Sequence, residues 1–467
     1  MNAAPDIVVI GAGSAGFSAA IRASELGASV ALIGDGTIGG TCVNVGCVPS
    51  KTLIRAAEAL YSARDAARFR GASGRAAIDD WAQLIAQKDE LVASLRKAKY
   101  SDLLPEYENV RYIAGRARLR AEGVEVNGTV LTTDKIVIAT GSSPRRPEIP
   151  GIEHVAWLDS TRALDLRALP SSLLVIGGGA IGCELAQMFA RVGVRVTLLC
   201  RTHLLPAEER ESGEALAEYL RAEGIDVRCG VQYESIAAQG DGVRLVLRNA
   251  DGSREELDAQ RVLAATGRQA NTAGLGLADV GVRTRSDGAI EVDERLQTTR
   301  AGTYAAGDVT GRDLYVYMAA YGAKLAVDNA LGAGGRRYDA SAMPRVTFTD
   351  PQVASVGLTE EQARAQGFDV QAVRLELHDL PRALAARDTR GFVKLVAEGE
   401  SGRLLGAHIV APEGGDSIQT AVLALKHGLT VTDLADTVFP YLTTVEGIKL
   451  AALGFGKDVA KLSCCAG

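Results

Sequence analysis

Twice in this chain a short aliphatic strand runs into a glycine-rich turn and then into a helical stretch, and this pattern narrows the fold more than any other feature. Ile7-Val8-Val9-Ile10 leads into Gly11-Ala12-Gly13-Ser14-Ala15-Gly16, a helix through Glu25 and a second strand over 30–33. Leu173-Leu174-Val175-Ile176 repeats the plan with Gly177-Gly178-Gly179-Ala180-Ile181-Gly182, a helix through Arg191 and a strand over 195–199. Glycines in such a turn let backbone amides at a helix N-terminus approach a pyrophosphate, whose charge the helix dipole favours. Gly11, Gly13 and Gly16, and again Gly177, Gly179 and Gly182, are therefore the expected dinucleotide contacts. One such fingerprint is weak; two, each with a strand before and a helix after, predict an α/β protein with two Rossmann-like dinucleotide-binding domains.

The 467 residues leave room for about three domains on a ~150-residue prior. Residues 52–100 read as long helices rich in Ala, Leu, Arg and Lys. Beyond about residue 339 the pattern changes to strands over 344–356 and 391–410, then helices over 417–427 and 432–435, a separate α+β domain. Gly332-Ala333-Gly334-Gly335 is either the linker into it or a plain surface loop. The expected division is 1–150, 151–270, 271–338 and 339–467, with the first and third segments forming one domain. A net charge of −6 gives no basic footprint for nucleic acid or anionic lipid. The apolar runs are strand-length, far below the ~20 residues of a membrane helix. The first strand begins by Asp6, which leaves no room for a secretory leader, so a cytoplasmic protein is expected. Seven cysteines without such a leader argue against a structural disulfide framework. Cys183, Cys200 and Cys229 stand alone in helix or strand segments and are expected to be small buried hydrophobes.

The segment Gly39-Gly40-Thr41-Cys42-Val43-Asn44-Val45-Gly46-Cys47-Val48-Pro49-Ser50-Lys51 resembles the redox-active stretch of the FAD-dependent pyridine nucleotide–disulfide oxidoreductases. Ala139-Thr140-Gly141, Ala265-Thr266-Gly267-Arg268 and Tyr304-Ala305-Ala306-Gly307-Asp308 are similar to that family's later dinucleotide-contact segments, in the expected order. Phe348-Thr349-Asp350-Pro351-Gln352-Val353-Ala354 resembles the start of its dimer-forming domain, so the resemblance spans nearly the whole chain. It implies FAD and NADPH as cofactors, a homodimer, and a redox-active Cys42–Cys47 pair. A regular helix separates positions i and i+5 by about 7.5 Å of rise, whereas a disulfide wants Cα atoms about 4.4–6.8 Å apart. The pair therefore requires an irregular segment, which Gly46 provides, and Pro49 suits the first turn of a helix that begins near Cys47. A helix N-terminus there favours a Cys47 thiolate. The resemblance further implies that Gly40, Thr41, Thr140, Gly141, Gly267 and Arg268 contact the cofactors, that Asp308 holds the ribityl chain of FAD, and that Lys51 pairs with Glu184 beside the flavin. Without it, Lys51 reads as a surface lysine and Asp308 as a helix cap.

Two positions depart from the family pattern. Gly34 stands where FAD-binding relatives place an acidic ribose ligand, and Asp35 follows one residue late. In the second fold Cys200 takes the equivalent acidic position and Arg201 follows, either as a partner for a 2′-phosphate, favouring NADPH over NADH, or as a solvated strand-end charge. Relatives that cleave disulfides also carry a His-Pro-Thr segment with a Glu five residues after the His, a general acid and its orienting partner. Here the segment is Phe439-Pro440-Tyr441-Leu442-Thr443-Thr444, so Phe439 replaces the His and Thr444 the Glu. Disulfide reduction of the thioredoxin-reductase kind is therefore disfavoured.

A thiolate-bound metal ion needs no such acid to accept two electrons, and soft thiolates suit a soft cation. The chain ends in Leu462-Ser463-Cys464-Cys465-Ala466-Gly467. Neighbouring Cα atoms are ~3.8 Å apart, below the usual disulfide range, so this pair is expected to stay an open dithiol. Phe-Pro-Tyr with that terminus resembles the mercury(II)-reducing members of the family, in the form without an N-terminal metal-binding domain. The resemblance implies that Cys464 and Cys465 of one subunit take Hg(II) from cellular thiols and pass it to the partner subunit's Cys42 and Cys47, with Tyr441 and Tyr100 lining the path. Alternative readings are an incidental terminal cysteine pair, tyrosines that are only packed aromatics, and a flavoprotein that sequesters mercury without turnover. A mercury-delivery carrier is a further expected partner.

Overall fold

A computed structural model describes residues 4–458. The expected Cys464 and Cys465 lie outside the described residues. The chain divides into two compact units: residues 1–52, 82–145 and 267–340 form one, and residues 53–81, 146–266 and 341–467 the other.

The first unit is built on a five-stranded parallel sheet. Its order is Thr303–Ala305, Ile136–Ile138, Ile7–Ile10 (β1), Val30–Gly34 (β2) and Val110–Ala114. Both faces are covered, which is why β1 and β2 are unbroken runs of buried aliphatic residues. Ile7, Val9 and Leu32 pack beneath the helices Ser14–Glu25 (α1) and Val316–Ala330. Val8, Ile10, Ala31 and Ile33 pack instead with Ala117, Leu119, Val124 and Val126 of a three-stranded antiparallel sheet. After β2 come two helices, Gly40–Val45 (α2) and Cys47–Arg64 (α3).

The second unit holds a parallel sheet ordered Asp226–Cys229, Arg195–Cys200, Ser172–Ile176 and Arg261–Ala264. The helix Ala180–Arg191 follows the strand Ser172–Ile176 through the second glycine turn. The same unit contains a five-stranded antiparallel sheet, ordered Arg345–Thr347, Gln352–Gly357, Leu404–Ala411, Phe392–Glu398 and Val370–Glu376. The helices Gly414–Lys426, Val431–Asp436 and Glu446–Leu453 share its core. Both dinucleotide folds and the C-terminal α+β region are thus formed as the sequence predicts.

Candidate active site

The first glycine turn is shaped by steric exclusion. Gly11 has φ +118°, and a Cβ there would sit 2.2 Å from the Ala139 carbonyl oxygen; one on Gly16 would sit 1.6 Å from that of Gly11. Gly13 caps α1 without a side-chain hydrogen bond. The cysteine segment is fastened to this turn: the Gly39 N–H donates to Ala12 O at 2.8 Å, and a Cβ on Gly40 would lie 2.6 Å from the Gly13 Cα. Thr41 and Cys42 therefore rise from α2 directly beside the turn.

Between the cysteines the helix breaks. Gly46 leaves helical geometry (φ −126°, ψ −110°), and α3 restarts at Cys47, which places that residue at the N-terminus of an 18-residue helix. The Asn44 side chain stabilises the break by donating to Ile38 O (2.9 Å) and Gly40 O (2.8 Å), while its Oδ1 accepts from Arg96 at 3.1 Å. Cys42 is half-buried and Cys47 exposed, and no disulfide joins them. The Cys42 thiol is pushed far up, first by its hydrogen bond to Cys47, then by burial, then by the Cys47 charge, with Lys51 opposing weakly. Cys42 is thus the proton holder of the pair and Cys47 the sulfur that receives its hydrogen bond.

The surrounding residues fit a flavin dinucleotide. The N-terminus of α1 is open to a pyrophosphate, and Gly141 has φ +69° with empty space where a side chain would project. Thr140 is held by Asn271, its hydroxyl donating to Asn271 O at 2.7 Å and its carbonyl accepting Asn271 Nδ2 at 3.0 Å. Asp308 accepts the Ser142 hydroxyl at 2.6 Å, and Arg268 Nε donates to that same hydroxyl at 2.7 Å. A carboxylate has about four lone-pair sites, so Asp308 keeps acceptor capacity for a ribityl hydroxyl. Gly34 is explained sterically: a Cβ there would meet Tyr112 Oη at 2.6 Å and Ala12 Cβ at 2.8 Å. Asp35 is exposed just beyond it. Tyr100 lies in a π-helical turn, Lys97–Ser101, edge-on to Phe17 at 4.7 Å and beside Gly39. That brings it to the cysteine segment at Gly39.

In the second unit, Gly177 has φ +123° and faces the Ala265 carbonyl, and a Cβ on Gly182 would lie 1.8 Å from Gly177 O. Gly179 differs: it is the N-cap of the helix Ala180–Arg191, and a Cβ there would meet nothing within 4 Å. Gly267, which begins the last segment of the first unit, is open at φ +109°. Among the described residues Thr266 Oγ1 is buried without a hydrogen-bond partner. An open helix N-terminus and an orphaned hydroxyl suit a second dinucleotide. Arg201 is exposed at the end of its strand. Glu184 is buried and accepts the Phe348 N–H at 2.9 Å.

Phe439 is half-buried against the C-terminal core, and Thr444 is buried with its hydroxyl 3.5 Å from Glu413. Tyr441 is 49% exposed. Leu442 takes φ +61° and donates its N–H to Glu446 at 3.2 Å; burial raises the Glu446 carboxyl. One expectation is corrected: Cys200 and Cys229 do not stand alone, because their Sγ atoms lie 3.0 Å apart. Register between strands separated by a helix is not readable from local pattern. The Ser142–Arg268–Asp308 chain, the Asn44–Arg96 brace and Tyr112 behind Gly34 were also missed; only Asn44, a polar residue between the cysteines, gave a local signal.

The family model described as pyridine nucleotide-disulphide oxidoreductase matches residues 5–330, and that for the dimerisation domain of the same family matches residues 343–452. The chain is 47% identical over 464 residues to a mercuric reductase of Lysinibacillus sphaericus, covering 99% of this chain and 84% of that one. It is also 47% identical over 469 residues to a mercuric reductase of Streptomyces lividans, covering 99% and 98%. Among solved structures it resembles the HOCl-induced flavoprotein disulfide reductase RclA from Escherichia coli, at 33% identity and a TM-score of 0.85 over 96% of this chain and 99% of that one.

Proposed function

The chain belongs to the pyridine nucleotide-disulphide oxidoreductase family, and from that premise we propose that it is an NADPH-dependent, FAD-containing mercury(II) reductase. The observation that carries this reading is a dithiol built for electron transfer in a chain that has Phe439 and Thr444 where disulfide-cleaving relatives keep an acid and its partner. Similarity to mercuric reductases over nearly the full length supports it. Bound FAD supplies two-electron relay between nicotinamide and sulfur.

The protein's own residues divide the remaining work. Gly11, Gly13, Gly16, Gly40, Thr41, Thr140, Gly141, Asp35 and Asp308 bind the flavin; Gly177, Gly179, Gly182, Arg201, Gly267 and Arg268 serve the nucleotides. Lys51 and Glu184 form the pair beside the flavin. Cys42 and Cys47 hold Hg(II), and Cys42 yields its proton as the metal replaces it, because two thiolates are needed to coordinate the soft cation. NADPH gives up two electrons and a proton is released; the metal leaves as Hg(0), which thiolate no longer retains. Cys464 and Cys465 gather the metal for the partner subunit's cysteines past Tyr441 and Tyr100, in a homodimer. A reducing cytoplasm keeps that terminal pair open. Residues 1–150 with 271–338 serve FAD, 151–270 NADPH, and 339–467 the dimer. Disulfide reduction is the second reading, favoured only by the likeness to RclA.

The test is NADPH oxidation by the flavin-loaded protein with Hg(II) in excess thiol, run beside disulfide substrates. Mercury-dependent oxidation with volatile mercury released is expected, with little disulfide turnover. Fast disulfide turnover and no response to mercury would replace this reading with the second. The double variant C464A/C465A is expected to keep its flavin and lose turnover on thiol-bound mercury; full turnover would remove the relay.

A further inference from the structure

We propose that Cys200 and Cys229 are a second dithiol, which closes to a disulfide on reaction with low-molecular-weight disulfides and weakens pyridine-nucleotide binding when closed. The dithiol itself stands on the geometry below; its effect on the nucleotide rests on the NADPH reading above.

Cys200 is the last residue of the strand Arg195–Cys200 and Cys229 the last of Asp226–Cys229. The two strands are parallel neighbours, and these residues are register partners. Adjacent strands run about 4.8 Å apart, inside the roughly 4.4–6.8 Å between Cα atoms that a disulfide accepts. The side chains point the same way, since the Sγ atoms are 3.0 Å apart with the Cys200 thiol donating to Cys229. Both residues end their strands, and beyond them the pairing runs on through Val231 N–H to Cys200 O at 3.2 Å and Gly230 N–H to Thr202 O at 3.0 Å. This separates the pair from Cys183, which is fully buried in the neighbouring helix and has its thiol pushed up by burial.

The pair is chemically unequal. Cys200 is 4% exposed and its thiol is pushed up, first by the hydrogen bond to Cys229. Cys229 is half-buried and drawn down to about 7, first by the hydrogen bond from Cys200 and then, against burial, by Arg221 and His203. Cys229 is thus the accessible nucleophile and Cys200 the resolving thiol. The Cys229 thiolate attacks a sulfur of the external disulfide, forming a mixed disulfide and expelling one thiolate. Cys200 then loses its proton and attacks Cys229 Sγ, expelling the second thiolate. The protein dithiol is oxidised by two electrons, and one external disulfide is reduced to two thiols.

The coupling is steric. Cys200 lies against the second glycine turn: a Cβ on Gly178 would sit 2.7 Å from Cys200 Cβ and 3.3 Å from its Sγ. Gly178 O also accepts the Leu205 N–H at 2.7 Å, so the turn is braced on the segment that follows Cys200. Drawing Cys200 toward Cys229 shifts both that wall and the adjacent Arg201.

The experiment equilibrates the full-length, flavin-loaded protein with graded ratios of reduced to oxidised glutathione. It then blocks thiols, identifies cross-linked peptides by mass spectrometry, and measures NADP+ binding by calorimetry. A peptide joining Cys200 to Cys229 is expected, absent from C200S, C229S and C229A. Binding of NADP+ is expected to be roughly fivefold or more weaker in the oxidised protein, the low end of site-to-site coupling, and unaltered by the same treatment of C229A. Absence of the cross-link at ratios that join Cys42 to Cys47, or glutathione held on Cys229 alone, would overturn the dithiol. A cross-link with unchanged NADP+ affinity would overturn the coupling. Failure of the reduced protein to bind NADP+ would instead overturn the nucleotide assignment, leaving the cross-link to stand.

Discussion

The second glycine turn sets two adjacent-looking substitutions against each other. At Gly182 a Cβ would lie 1.8 Å from the Gly177 carbonyl oxygen, far inside the 3.4 Å at which ordinary contact begins. Gly177 has no room to retreat, because it is held at φ +123° against the Ala265 carbonyl. Backbone overpacking of this kind costs about 3 kcal/mol, and the better helix propensity of Ala recovers about 1. G182A is therefore expected to lose about 2 kcal/mol, a Tm drop of roughly 4–8 °C for a domain of this size. Gly179 has φ −79° and open space around its Cβ position. Alanine at an N-cap costs up to about 1 kcal/mol, and the stiffer unfolded chain returns about 0.4–1, so G179A is expected to melt within about 1–2 °C of the parent. Its methyl instead fills the space over the helix N-terminus that a pyrophosphate needs. Loss of one charge-assisted backbone hydrogen bond costs about 1.5–3 kcal/mol, which raises KM for NADPH roughly ten- to a hundredfold with kcat little changed. Thermal melts and NADPH saturation curves of both variants check this. Equal melting losses, or an unchanged KM in G179A, would refute the argument that one glycine serves the fold and the other the ligand.

Other substitutions follow from named contacts. Arg191 is buried, donates to Glu223 at 2.6 and 2.8 Å and to Asp350 at 2.8 Å, and stacks 3.9 Å over Tyr61. R191M leaves Glu223 and Asp350 to the remaining Arg390, 3.6 and 3.1 Å away, and should cost about 1.5–3 kcal/mol for the lost charge-assisted hydrogen bonds, read as a lowered urea midpoint. G34D, which restores an acidic residue in the ribose position, should not strengthen FAD binding. Its Cβ meets Tyr112 and Ala12, so about 1–3 kcal/mol of stability is lost, and adding Tyr112→Ala should recover part of it in a thermal melt. Alkylation of Cys229 by iodoacetamide, resolved by peptide, should fall as pH drops through about 7, because the thiolate set by Cys200, Arg221 and His203 is then protonated. Cys42, pushed up by Cys47, should stay slow throughout that range; equal pH profiles would contradict the assignment.

The elements with a local period were legible. β1 and the strand Ser172–Ile176 announce themselves as aliphatic runs ahead of glycine, and Pro49 with Gly46 marks the break that lets α3 begin at Cys47. The strand Phe392–Glu398 falls within the stretch expected as strands over 391–410, and Leu404–Ala411 runs one residue past its end. What was not legible depends on partners distant in sequence. Gly34 reads as a missing ligand until Tyr112, on the neighbouring strand, is seen to fill the space. Asp308 reads as a lone cap or ligand until Ser142 and Arg268 meet it. Cys200 and Cys229 read as isolated because 29 positions separate two residues that the parallel ladder sets side by side.

That last pair shows how spacing and chemistry separate in this protein. Cys42 and Cys47 are brought together by a broken helix, Cys200 and Cys229 by strand register, yet each pair has one less exposed sulfur that keeps its proton and one more accessible sulfur that receives its hydrogen bond. The asymmetry is set first by the hydrogen bond within each pair and then by burial, which disfavours the inner thiolate while the shared proton stabilises the outer one. What differs is the surroundings. Cys47 stands at a helix N-terminus beside the turn that fits a flavin, so its electrons have a path onward. Cys229 stands at a strand end next to Arg221 and His203, with its partner Cys200 against the wall of the second glycine turn, so its chemistry ends in the bond it forms. The first geometry suits turnover and the second suits control, and replacing Cys229 with alanine should therefore alter the response to oxidised glutathione while leaving the reduction of Cys42–Cys47 by NADPH in place.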